Sequence, residues 1–166
     1  AVGVLPDLVP PPGRMQRVPQ ATQPLVVVDY AHTPDALAQA LTAVRPLARA
    51  RGGRLWIVFG AGGDRDPGKR APMGQAAAAS ADIVVVTSDN PRTEDPRAIV
   101  AQIVEGATTA AQLITELDRA RAIERSVLEA DRADVVLIAG KGHEDYQIVG
   151  SVRHPFSDVE HARQAI

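Results

Sequence analysis

Four apolar runs in this chain each end in a cluster of glycine and charged residues, and this pattern restricts the fold more than any other feature. LVVVDYAHTPD covers residues 25–35, LWIVFGAGGDRD residues 55–66, DIVVVTSDNPR residues 82–92 and DVVLIAGKGHED residues 134–145. Each run is short, β-branched and nearly unbroken, as in a strand buried on both faces of a parallel sheet. Amphipathic stretches lie between them. Strands alternating with helices imply an α/β fold, a doubly wound and mainly parallel sheet with helices on both faces. In such a sheet ligands bind in the crevice outside the carboxyl ends of the strands. All four clusters fall at those ends, so the right-handed crossover rule brings them to one rim.

The strands are read at residues 25–29, 55–59, 83–87 and 135–139, with a weaker one at 113–114. Thr33 is the expected N-cap of the first helix, with Pro34 at its first position. Leu37, Ala40, Leu41, Val44 and Leu47 form its core stripe, and Gly52-Gly53 ends it. An alanine-rich helix is expected over 73–80. A third helix starts at Asp95-Pro96 and carries Ile99, Val100, Ile103 and Val104. A fourth, over 118–129, presents Ile123, Val127 and Leu128. Residues 146–149 and 152–154 form a hairpin about Gly150-Ser151, and Ser157 with Glu160 makes a capping box for a terminal helix. Residues 1–24 hold Pro6, Pro10, Pro11, Pro12, Pro19 and Pro24, a density that forbids a helix. They read as a linker in which residues 15–18 pair at a sheet edge, and residues 25–166 as the domain.

A chain of 166 residues is long enough for one full core, built here from aliphatics because aromatics are only 3%. A net charge of −2 argues against a polyanion-binding surface. The absence of cysteine excludes disulfides and thiolate zinc sites and fits a cytosolic compartment. No apolar stretch approaches the roughly 20 residues of a membrane span. A start at Ala1 instead of Met reads as a piece of a longer protein.

Each cluster has a chemical reading and an ordinary one. Gly60, Gly62 and Gly63 fail the dinucleotide fingerprint because Arg65 stands where the third glycine belongs. Gly63, Gly68 and Lys69 match the start of a phosphate loop, but Arg70 replaces its hydroxyl residue, and Asp64 and Asp66 would repel phosphates. A glycine turn with solvated charges accounts equally for this loop. In TSDNPR, Arg92 can grip a carboxylate bidentately and Asp89 can accept from an ammonium. Together they suit a zwitterionic amino-acid head group, although Asp-Asn-Pro also favours a plain turn before a helix. GKGHED adds Gly140, His143 and Glu144 without metal-ligand spacing, and no metal is expected on this chain. Asp29-Tyr30-Ala31-His32 leads into a helix N-terminus, which favours an anion, while Asp29 can accept from ribose hydroxyls or merely cap nearby amides.

Taken together, PGRMQRV (12–18), VDYAHTPDAL (28–37), VFGAGGDRDPGKR (58–70), TSDNPRTEDPRAI (87–99) and AGKGHEDYQIVG (139–150) resemble the C-terminal domain of Mur ligases. Within that family they are most similar to the enzymes that add the third residue of the peptidoglycan stem peptide. The stretches keep their order over almost the whole chain. The resemblance implies a Rossmann-like domain following a central ATP-binding domain and an N-terminal domain for the uridine nucleotide. It implies a bacterial, cytoplasmic ligase acting on UDP-MurNAc-L-Ala-D-Glu through an acyl phosphate, with ATP and Mg2+ as cofactors and meso-diaminopimelate as the incoming amino acid. By the same resemblance Arg65, Asn90 and Arg92 hold the far carboxylate of diaminopimelate, within the signature Asp89-Asn90-Pro91-Arg92. Asp89, Glu144 and the carbonyl of Gly140 hold its ammonium. Arg14 and Asp29 meet the nucleotide, with Tyr30 and His32 nearby. No catalytic residue is implied on this chain. The modified lysine and the magnesium ligands of the family belong to the central domain, so the chain alone is expected to fold but not to ligate. Gln16 stands where glutamate is common. Two other readings stay open: a stand-alone amino-acid or nucleotide binding module, and a relative that adds lysine or ornithine. A Rossmann dehydrogenase is disfavoured by the failed fingerprint.

Overall fold

The computed structural model describes residues 10–19 and 24–166. The greater part of the proline-rich stretch, residues 1–9 and 20–23, lies outside the described residues. A six-stranded sheet forms the centre. Its strands are β1 (Gln16–Val18), β2 (Leu25–Asp29), β3 (Leu55–Phe59), β4 (Ile83–Val86), β5 (Gln112–Thr115) and β6 (Val135–Ala139), in the order β1-β2-β6-β3-β4-β5. All pairings are parallel except β1 with β2, the expected edge pairing, in which Arg17 faces Val27. The last strong strand in sequence, β6, inserts between the first two. It pairs Val136 with Val26 on one side and with Trp56 on the other. β3, β4 and β6 are buried at every position, which accounts for their unbroken apolar sequences.

Helices α1 (Pro34–Arg51), α2 (Arg70–Ser80) and α3 (Pro96–Gly106) cover one face, and α4 (Arg119–Glu129) and α5 (Asp158–Gln164) the other. Thr33 caps α1 by accepting from the Ala36 N–H at 3.2 Å, and Gly52 ends it in a left-handed conformation with φ of 72°. α2 starts at Arg70, not Met73, because Asp66 caps a short 3₁₀ turn over Pro67–Lys69 that feeds into it. Leu128 belongs to no core stripe and is 63% exposed. The hairpin β7 (Tyr146–Val149) and β8 (Val152–Pro155) runs one residue further than expected. Only half of the terminal capping box forms. Ser157 accepts from the Glu160 N–H, but the Glu160 carboxylate turns to Arg163 at 2.6 Å. Among the described residues no helix is long and apolar enough to cross a membrane.

Candidate functional site

The loops after β2, β3, β4 and β6 leave the sheet on the same side and wall a polar cleft of about 400 Å³. Its lining takes Tyr30 and His32 from the first loop, Gly60, Gly62, Arg65 and Lys69 from the second, and Asp89, Asn90 and Arg92 from the third. Gly140 and Glu144 come from the fourth, and Tyr146 from the start of β7. Six of the seven residues expected around an amino acid therefore share one cavity. The exception is Pro91, which does not line it. Its carbonyl oxygen packs instead against Gly63, where an added Cβ would come within 1.8 Å of it.

Arg92 is held in position without being used up. Its backbone has φ of 52°, its N–H donates to the Ile148 carbonyl and its carbonyl accepts from Gly150, which fastens the loop to the hairpin. Its Nη1 donates to the Gly63 carbonyl at 2.9 Å. Among the described residues Nε and Nη2 make no hydrogen bond. That edge is the fork that takes a carboxylate through two parallel bonds. Arg65 lies beside it, exposed, with Gly62 between them. An added Cβ at Gly62 would stand 3.0 Å from Arg92 Nη1 and 3.6 Å from Arg65 Cγ.

The acidic side of the cleft differs from expectation. Lys141, a residue sequence reasoning passed over, is fully buried, and its Nζ lies 3.0 Å from Asp89 Oδ1 and 3.7 Å from Glu144 Oε2. It donates to Asn90 Oδ1 at 2.8 Å and to the Tyr146 carbonyl at 2.9 Å. The contact to Asp89 is an ion pair off the hydrogen-bonding direction, and the buried Oδ1 accepts no directed bond. Burial pushes the Asp89 carboxyl up. The charges of Lys141 and Arg119, together with the Lys141 contact and the more weakly felt charge of Arg92, outweigh it and hold the group below its ordinary value. Asp89 is therefore an ionised carboxylate already partnered from behind.

Two further buried cations carry the frame of the cleft. Arg119 donates to the carbonyls of Ser88 and Ala139, at the ends of β4 and β6. Arg70 bridges Glu94 and the Gly62 carbonyl and so ties the second loop to the third. In the sequence Arg70 reads as the end of the glycine-rich loop and Arg119 as a polar residue of the helix over 118–129. The only signal that singles them out is burial.

A second cleft of about 400 Å³ opens between the β1–β2 edge and α1. Arg14, Asp29, Tyr30 and His32, the four residues expected near a nucleotide, all line it. The Asp29 carboxylate accepts from the Ala31 N–H at 2.8 Å and the Met15 N–H at 2.9 Å, the capping role that was the ordinary reading. Each oxygen keeps a second lone pair. The Arg14 guanidinium lies 5.5 Å from the centre of the Tyr30 ring, and the Tyr30 and His32 rings stand 4.6 Å apart. Tyr30 and His32 line both clefts, so the two cavities share a wall. Among the described residues no three His, Asp or Glu side chains converge as metal ligands do.

A mainly parallel open sheet, with its polar cleft where the strand order turns back on itself at β6, defines a Rossmann-like α/β domain. The chain belongs to the family described as Mur ligase, glutamate ligase domain, whose model matches residues 13–142. It is 58% identical over 159 residues to the UDP-N-acetylmuramoyl-L-alanyl-D-glutamate--2,6-diaminopimelate ligase of Acidovorax sp. (strain JS42), covering 96% of this chain and 32% of that protein. The protein of the same name from Synechococcus elongatus is 54% identical, with 99% of this chain and 33% of that one covered. A solved structure of a ligase bearing that name superposes with a TM-score of 0.84 at 48% identity, over 97% of this chain and 32% of its own. The chain thus spans about a third of the length of these relatives.

Proposed function

We propose that this chain is the amino-acid-binding domain of an ATP-dependent ligase that adds meso-diaminopimelate to UDP-MurNAc-L-Ala-D-Glu in peptidoglycan synthesis. The observation that carries this reading is the free Nε–Nη2 fork of Arg92, with Arg65 beside it and Glu144 on the same cleft. The far end of diaminopimelate is a zwitterion and offers a carboxylate to the fork and an ammonium to Glu144. Lysine offers only the ammonium. The adjoining cleft, with Arg14, Asp29, Tyr30 and His32, has the cation and acceptors that suit the phosphate and ribose end of ATP. Bound ATP supplies the phosphoryl group that activates the substrate carboxylate. This chain's part is to orient the amino acid and to close over the nucleotide. The family resemblance assigns the Mg2+ ligands to the central domain of the parent protein.

The alternatives are a binding module without chemistry and a ligase for lysine or ornithine. The test is ADP release by the full-length parent, with UDP-MurNAc-L-Ala-D-Glu and ATP, given diaminopimelate, lysine or ornithine in turn. Turnover with diaminopimelate and little with the others is the expected result. Turnover with lysine alone would transfer the reading to a lysine-adding enzyme, and none with any amino acid would favour the binding module.

A further inference from the structure

We propose that Lys141 is a positioning residue that sets the polarity of the cleft, so that it accepts a carboxylate-bearing end of an amino acid instead of a bare ammonium. The inference rests on the amino-acid reading above and adds to it a residue that does not itself line the cavity. Lys141 sits behind the wall, fully buried, between the two carboxylates that would otherwise be free to take a substrate cation.

Its position has two consequences. The first concerns Asn90. The Oδ1 of this amide receives Lys141 Nζ at 2.8 Å and the Ile148 N–H at 3.0 Å, so its acceptor end is committed inward. Nδ2 is then turned outward, 3.5 Å from Glu144 Oε2. The cleft sees an amide NH₂, which donates to a carboxylate and offers nothing to an ammonium. The second concerns charge. Lys141 lies closer to Asp89, at 3.0 Å against 3.7 Å for Glu144, which leaves Glu144 the less compensated of the two carboxylates lining the cleft, against the cations Arg65, Lys69 and Arg92. Such a balance suits a zwitterion. With the Lys141 charge removed, Asp89 and Glu144 would both be free to meet an ammonium that enters the cleft they line.

The experiment measures kcat/KM of the full-length parent for diaminopimelate and for lysine, at saturating ATP and uridine substrate, in wild type and Lys141→Met. The expected result is a roughly 10- to 100-fold fall in the ratio of diaminopimelate to lysine. It is carried by a higher KM for diaminopimelate, while the KM for ATP stays unchanged. A second variant, Lys141→Met with Asp89→Asn, leaves no unpaired buried charge and should bring the ratio back toward wild type. It also carries the test if the single variant does not fold. An equal loss for both amino acids, or a fall in kcat alone, would make Lys141 a mere structural brace and overturn the inference. So would a double variant that keeps the altered ratio. The reading of the cleft fails separately: a wild-type parent that does not use diaminopimelate refutes it and the inference together. A wild type that uses it, with the ratio unmoved by Lys141→Met, refutes only the inference.

Discussion

Arg119 grips Asp158 with both faces of its fork, Nε to Oδ1 and Nη2 to Oδ2 at 2.8 Å each, and neither side chain is reached by solvent. The pair locks α4 to α5, and the same guanidinium holds the carbonyls of Ser88 and Ala139. Burial lowers the Arg119 pKa, but the charge of Asp158 and its hydrogen bonds, helped by Asp89 and Glu144, leave it raised, so the pair remains ionised. Asp158→Asn should cost about 3–5 kcal/mol, because it strands a buried cation. Replacing both partners, as Arg119→Met with Asp158→Leu, should cost less, since no lone charge remains. Urea denaturation of the three proteins checks the order. A single variant no less stable than the double would show that the pair is not the brace described.

On the proposed reading of the cleft, Arg92→Ala in the full-length parent should reduce kcat/KM for diaminopimelate by roughly 10- to 150-fold, the value of a lost charge-assisted contact of about 1.5–3 kcal/mol. Lysine use should fall much less, because its side chain brings no carboxylate to the fork. The left-handed backbone at Arg92 adds a control. Arg92→Gly fits φ of 52° without the strain of a Cβ, so it should be more stable than Arg92→Ala while sharing its catalytic defect. Parallel kinetics and thermal melts of the two variants separate the guanidinium's role from the backbone's.

The acid limb of stability should depend on Glu94. The hydrogen bonds from Arg70, reinforced by the Asp64 N–H, bring its carboxyl from 4.5 down to about 2. A lowered carboxyl pKa stabilises the folded state above the unfolded value, and the gain disappears as pH falls through the folded one. The difference in urea midpoint between wild type and Glu94→Gln should thus be constant above pH 4.5 and shrink to nothing near pH 2. A difference that persists unchanged at the lower limit would place the effect of Glu94 in packing, not charge.

Gly63→Ala should loosen the second loop from the third. The new Cβ would meet the Pro91 carbonyl oxygen at 1.8 Å, and backbone on both sides leaves no side chain to swing away. Overpacking of this kind costs about 1–3 kcal/mol. The Gly63 carbonyl also orients Arg92, so diaminopimelate use should suffer with stability. Gly52→Ala is the comparison. It has open space around the Cβ, so only its left-handed backbone is strained, and it lies far from the cleft. Activity lost at Gly52→Ala as severely as at Gly63→Ala would count against a local role.

What the sequence made legible was whatever one segment decides by itself. β3, β4 and β6 announced themselves by unbroken apolar runs, α1 by Thr33-Pro34 and Gly52, and the rim by the charges that follow each strand. What escaped depends on partners distant in the chain. Lys141 looks like a solvated charge between two glycines until Asn90, 51 residues earlier, folds over it. Arg119 reads as a polar residue in the first turn of the helix over 118–129 until Asp158 arrives from 39 residues further on. The left-handed backbone of Arg92 leaves no trace in its residue type. The strand order was equally hidden, because a periodic pattern records that a strand is buried but not which neighbour buries it.

The placement of β6 governs how the molecule can be assembled. β2 and β3 have no contact in the ladder except through it, so a chain synthesised only to residue 130 holds two unjoined sheet pieces, β1-β2 and β3-β4-β5. The central seam closes only when residues 135–139 emerge and thread between them. Both facing edges stay bare until then, which makes the late arrival of one short strand the step on which escape from aggregation turns.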